Sequence, residues 1–284
     1  MQNRISLLFA LGTCCASTAV AAPLTAADLV AVLMAGLSVG EPLRAGSLSI
    51  FPLAARDPLR EPATRVVTVG EAVERAWLTL RVSRDDSAAA TVLLQSWADA
   101  AILITAGEEL PGCGGLVAAR DVLVSPGARG LGVPVTPAPT FAGSGDERSW
   151  QRRVHALEAI ASGFSFGCEG VLVAVGARVV RVELFPSAWL LSRARADVLR
   201  TAAFEALVCP DREGMDREGA ERFLHDLSSL PWTRREPVGL GFEAKGSGPG
   251  VSAGALFLGG ALVHLSAVAR GEPLLLAPPE PAHP

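Results

Sequence analysis

The chain has 284 residues, with 25 Lys and Arg against 29 Asp and Glu and a formal net charge of -4 when histidine is neutral. That balance supplies no basic stripe for a phosphate backbone, so nucleic acid is excluded as a partner. Beyond the N terminus each apolar run is broken by Arg, Asp or Gly within about 18 residues, so no transmembrane span is expected in the mature chain.

Residues 1–22 read as a cleavable signal peptide. Arg4 gives the positive start, Ile5 to Ala10 the apolar stretch, and Val20-Ala21-Ala22 a small-residue cleavage site before Pro23. The expected address is secreted or periplasmic; the alternative is a lipid anchor through Cys14 or Cys15. Abundant arginine and alanine, with Lys245 alone among lysines and no tyrosine, read as the codon bias of a GC-rich bacterial genome. Cys113, Cys168 and Cys209 remain after cleavage. At most one pair can form among them, and buried inert thiols are expected, with Cys113 set in a Pro-Gly-Cys-Gly-Gly turn.

Thr25 to Ala35 is a short helix capped by Thr25 and ended by Gly36, with Leu29, Val32 and Leu33 on one face. Strands are expected at Leu48–Leu53, Arg65–Val69, Trp77–Val82, Thr91–Leu94, Ala101–Thr105, Leu116–Val124 and Leu131–Val135. Gly127 to Ser149 is otherwise an irregular loop, followed by helical spacing over Trp150–Ser162. Gly170–Val175, the turn Gly176-Ala177 and Arg178–Phe185 form the clearest hairpin. Helices follow at Ser187 to about Val208, stopped by Pro210, and at Asp216–Leu230. Strands return at Pro237–Glu243, Ala253–Leu258 and Ala261–Val268. The sum is α+β, predominantly antiparallel β in sandwich-like sheets with two or three helices packed on one side. It is organised as a helical segment at 23–36, a single β-rich domain at 37–270 and a Pro-rich tail at 271–284.

Gly163-Phe164-Ser165-Phe166-Gly167 fits the G-x-S-x-G pattern, but that elbow leads from a strand into a helix and here the order is reversed. Glu108 and Glu109 sit between a strand and a Gly-Pro turn, as an acid/base pair or a solvated hairpin end. Arg181 and Glu183 share the face opposite Val180, Val182 and Leu184, a face expected to meet solvent. His264 lies in the apolar Leu262-Val263-His264-Leu265, as a core histidine by default and a catalytic one as the alternative. Gly246-Ser247-Gly248-Pro249-Gly250 reads as a flexible hairpin loop, because no helix opens behind it to hold a phosphate.

The ordered set LSVGEPLRAGSLSIFPL at 37–53, TVGEAVERAWLTL at 68–80, AGEELPG at 106–112, DVLVSPGARGLGVPV at 121–135, RVELF at 181–185 and the closing GLGFEAK and GALFLGGALVHLSA segments resembles the ARG and Rhodanese-Phosphatase-superfamily-associated protein domain. The resemblance implies a β-rich fold and the binding or processing of an NAD-derived nucleotide such as ADP-ribose. Carried onto this chain, it selects Glu109, Glu183 and His264 as catalytic residues and Glu108, Glu243 and Lys245 as binding residues, with no metal and no cofactor. The chain departs from that family at Gly114-Gly115-Leu116, where a Gln-Asn-Arg run is usual. It departs again at Thr136-Pro137-Ala138, where a Cys and a Glu follow the Pro-Val. Those changes, together with export away from the cytoplasm where such nucleotides are expected, leave a second expectation: a non-catalytic exported binding or structural domain.

Overall fold

The computed structural model describes residues 24–45, 47–83, 90–138, 151–152, 155–156, 159, 167–194, 198 and 214–269. The leader with Cys14 and Cys15, most of the helix expected at 150–162, the core of the G-x-S-x-G segment, Cys209, the far part of the helix after Ser187 and the tail lie outside them.

The N-terminal helix α1 (Ala26–Ala35) starts where expected. Thr25 accepts from the Asp28 N–H while the Asp28 carboxylate accepts from the Thr25 N–H, a reciprocal cap that satisfies two otherwise orphaned donors. A second helix, α2 (Val69–Glu74), had no counterpart in the sequence reading. Thr68 caps it and it turns the chain straight out of a strand. The third, α3 (Arg217–Ser228), starts on Asp216 and buries Ala220, Leu224 and Leu227, while Arg217–Glu221 and Glu218–Arg222 pair one turn apart on its wet side.

Among the described residues the strands form three sheets. The largest runs β1 (Leu37–Val39), β3 (Leu48–Ala55), β11 (Gly170–Val175), β12 (Arg178–Leu184), β17 (Ala261–Ala269), β16 (Val251–Leu258), β15 (Phe242–Gly248) and β13 (Trp232–Arg235), with β2 (Leu43–Ala45) also on β3; its pairs are all antiparallel. A small mixed sheet runs β14 (Val238–Gly239), β9 (Val122–Val124), β7 (Ala101–Ile104) and β4 (Val66–Thr68), with parallel pairs at both ends. The third is antiparallel, β5 (Leu78–Ser83), β6 (Thr91–Ser96), β10 (Arg129–Pro137) and β8 (Leu116–Ala118).

The alternation of side chains along strands fixes how these sheets stack. One face of the large sheet offers Phe51, Leu172, Val182, Leu184, Ala255 and Leu265 to Val30 and Met34 of α1 and Leu224 and Leu227 of α3. The opposite face packs Ile50, Val173 and Leu256 against Ala101, Leu103 and Leu123 of the mixed sheet, and against Leu190, Leu191 and Ala194 of a helical stretch at 188–194. The other side of the mixed sheet, Ile102, Ile104, Val122 and Val124, meets Val92, Leu94, Val133 and Val135 of the third sheet. β7 and β9 are therefore buried on both faces, which is why they read as unbroken apolar runs.

The expected strand Leu116–Val124 is in fact β8 and β9, which belong to different sheets. The polar Arg120-Asp121 pair marks the break. The strand expected at Pro237–Glu243 likewise divides into β14 and the longer β15. Gly246 and Gly248 belong to β15 rather than to a loop, and a Cβ on Gly248 would lie 2.7 Å from Leu230. Glycine here admits the close approach of a neighbouring side chain. Part of the stretch expected as loop is the long strand β10.

Candidate functional site

The polar centre of the molecule lies between the large sheet and the mixed sheet. Two irregularities in the large sheet create it. Along β12 the register to β11 shifts so that Val180 is an extra residue, and along β17 the register to β16 leaves Val263 extra. At such a bulge the alternation slips, so consecutive residues point to one side. Val180 and Val263 pack into the gap with the mixed sheet, while Val179, Val182, Leu262 and Leu265 face the helices. Arg181, Glu183, His264 and Ser266 are thereby turned into the gap, and Glu183 stands directly across from Ser266. Glu183 was expected to meet solvent; instead it is buried, because the mixed sheet covers its face.

Asp121 comes from the opposite layer, as the residue just before β9. Its Oδ2 accepts the His264 Nδ1–H at 2.6 Å, and its Oδ1 accepts the Ala106 N–H at 2.8 Å. The other ring nitrogen, Nε2, donates to Glu183 Oε2 at 2.5 Å. Glu183 Oε1 accepts from Ser266 Oγ at 3.0 Å and from Arg181 Nε, and Arg181 also reaches the Ala106 carbonyl at 3.4 Å. The Phe185 ring lies 4.7 Å from the imidazole, tilted by 39°. His264 is fully buried.

These contacts settle the charges. Burial alone pulls the His264 pKa down, but the Asp121 and Glu183 carboxylates and their hydrogen bonds overcome it and hold the pKa up at about 10. Burial pushes Asp121 up, yet the charge and hydrogen bond of His264, the Ala106 N–H and Arg181 leave it below the ordinary carboxylate value. Glu183 follows the same logic, with Arg181 the largest opposing influence and His264 next. At neutral pH two carboxylates face one imidazolium and one guanidinium, so the group is formally neutral. An imidazolium with both N–H groups committed has no lone pair with which to accept a proton, and its contacts are to protein on both sides.

Of the residues selected from the sequence, Glu183 and His264 meet in this network. Glu243 lies on the same face of the large sheet, since Glu243 stands across from Leu256 and Leu256 across from His264. It forms an ion pair with Arg120, the neighbour of Asp121, and Arg120 also donates to the Glu236 carbonyl at 2.9 Å. Lys245 is half-buried one step along β15, its carbonyl accepting from Thr233 Oγ1 at 3.3 Å. Glu108 is buried and ties its own loop, accepting from the Thr105 N–H at 2.8 Å and Thr105 Oγ1 at 3.2 Å. Glu109 is exposed, and its strand-like bridge to Val117 turns it away from that loop's buried side. Asp121, Arg181 and Ser266 complete the network without having been selected. Asp121 was signalled only by interrupting an apolar run, Ser266 only by following His264 at strand spacing.

Among the described residues no group of His, Cys, Asp and Glu is arranged to hold a metal ion, and no helix is long and apolar enough to cross a membrane. Cys113 and Cys168 are free and buried in different layers, and burial pushes both thiols up.

No curated protein and no solved structure matches the chain. A family model does match it, over a segment that contains Arg181, Glu183, Glu243, Lys245, His264 and Ser266 but begins after Glu108, Glu109 and Asp121. The model that matches, over residues 146–268, is that of the ARG and Rhodanese-Phosphatase-superfamily-associated Protein domain.

Proposed function

We propose that the chain is an exported binding or structural domain in which the Asp121–His264–Glu183–Arg181 network is a clamp between two sheets and performs no chemistry. The observation that carries this reading is the placement of His264: fully buried, with each ring nitrogen within hydrogen-bond distance of a carboxylate supplied by a different layer, an arrangement that holds it protonated. A general base needs a free lone pair and a path to substrate, and a general acid works best with a pKa near the operating pH. His264 meets neither requirement. Export is part of the proposal and rests on the Arg4, Ile5–Ala10 and Val20-Ala21-Ala22 pattern.

A second reading, the binding or processing of an NAD-derived nucleotide such as ADP-ribose, draws on the domain match and on the meeting of Glu183 with His264. One experiment separates them. The purified protein is incubated with ADP-ribose, with and without divalent cations, while product and melting temperature are followed. Neither turnover nor a melting shift that depends on Glu183 is expected. A shift or a product that disappears in Glu183→Gln, with the variant still folded, would overturn the clamp reading.

A further inference from the structure

A cleft of about 760 Å³ opens on the other side of the molecule from α1 and α3, between the 61–66 segment and residues 186–190. Its volume falls in the range of small-molecule sites. Arg65 and Arg75 line it, both donating to one oxygen of Glu71, at 3.3 and 2.9 Å. The Glu71 side chain is only 2% exposed, whereas the two arginines are 56% and 48% exposed. A buried carboxylate thus fixes two guanidinium groups whose outer donors stay available. Arg75 is further held over the Trp77 ring, 4.7 Å from its centroid. The second Glu71 oxygen is buried and has no hydrogen-bond partner among the described residues. Trp189 also lines the cleft and leaves 47% of its surface exposed, beside the apolar rings of Pro62 and Pro186.

Building on the binding half of the function proposed above, we propose that this cleft binds a small molecule bearing an oxyanion on a flat ring. Two pre-set guanidinium forks match the paired oxygens of a carboxylate or phosphate, and the exposed Trp189 indole, which lines the cleft with Pro62 and Pro186, gives a flat partner a stacking surface. Arg65, Arg75, Glu71 and Glu61 sum to no net charge, so an anion is favoured over a neutral ligand by the exposed guanidinium donors themselves. Glu61 at the lining carries the opposite charge and favours a singly charged head group over a more highly charged one.

The test uses the full protein, titrated with benzoate, phenyl phosphate and neutral benzyl alcohol, with binding followed by calorimetry and tryptophan fluorescence. Saturable binding of benzoate, phenyl phosphate or both is expected, with no binding of the alcohol; which anion binds tells carboxylate from phosphate recognition. The double variant Arg65→Gln, Arg75→Gln should weaken binding by about tenfold or more. Should it fail to fold, Arg75→Lys keeps the charge beside Glu71 and should still weaken binding severalfold by losing the fork. Trp189→Ala should weaken binding and remove the fluorescence change. Glu183→Gln, measured at a temperature where circular dichroism shows it folded, should leave binding unchanged, which separates this cleft from the buried network. No saturable binding of either anion up to about 10 mM, or binding indifferent to the arginine variants, would overturn the assignment.

Discussion

Between the sheets, a single imidazole holds two carboxylates from different layers, and its loss would leave both charges buried together. Removing one partner of a buried ion pair costs about 3–5 kcal/mol, because the remaining charge is uncompensated. Glu183→Gln should therefore lower unfolding stability by that order, read from denaturant titration, although the substitution is nearly isosteric. The pH dependence follows from the directions of the shifts. His264 titrates at about 10 in the folded protein against 6.5 when free, so its contribution is complete below pH 6.5 and is lost as pH rises toward 10. Asp121 and Glu183 lie below their free values of 3.8 and 4.5, so theirs is complete above pH 4.5 and is lost on acidification. The network should stabilise most between pH 4.5 and 6.5. Denaturant midpoints should fall from the mildly acidic to the alkaline range, and the alkaline fall should vanish in His264→Gln. Both Glu183 and His264 were legible as unusual residues in apolar surroundings. Their meeting was not, because strict alternation counted from Leu262 places His264 on the helix side, and only the extra Val263 turns it around.

Elements were legible in proportion to how local their causes are. The hairpin of β11 and β12 announces itself through its Gly-Ala turn, and α1 through the Thr25–Asp28 cap. The helix α2 spans less than two turns, too few to show a period, and β13 carries Thr-Arg-Arg at the sheet edge, where apolar alternation is not required. The two-residue β14 was hidden in a longer expected strand, and its place depends on Gly239. That residue has φ of +94°, and a Cβ there would fall 2.1 Å from the Leu123 carbonyl oxygen. Gly239→Ala combines an unfavourable backbone region with a backbone overlap. It should cost at least about 1–3 kcal/mol and loosen the parallel pairing of β14 with β9, seen as faster amide exchange at Leu240, whose N–H donates to Leu123.

At the scale of the whole molecule the described residues make a layered stack of α1 and α3, large sheet, mixed sheet and third sheet, with the helical stretch at 188–194 on the mixed-sheet side of the large sheet. The fold class and its antiparallel bias were legible from strand patterns; the insertion of the mixed sheet as a middle layer was not, because unbroken apolar runs such as Ala101–Ile104 do not state which faces they meet. Leu123 is fully buried in that middle layer, between β14 and β7. Leu123→Ala should cost about 2–5 kcal/mol, and fluorescence and far-UV dichroism should still report one transition if the layers melt together. Pairings such as Ile50 with Val173 join distant parts of the chain, so folding in milliseconds to seconds is expected rather than the faster collapse of a helical bundle.

The two described cysteines occupy different gaps of this stack, Cys168 between the large and mixed sheets and Cys113 between the mixed and third sheets. With the remaining cysteines replaced by serine, a thiol reagent becomes a pair of position-coded clocks. Equal labelling rates would mean that the gaps part in one event. Earlier labelling of Cys113 would mean that the outer sheet peels away first, while the gap closed by His264 stays shut.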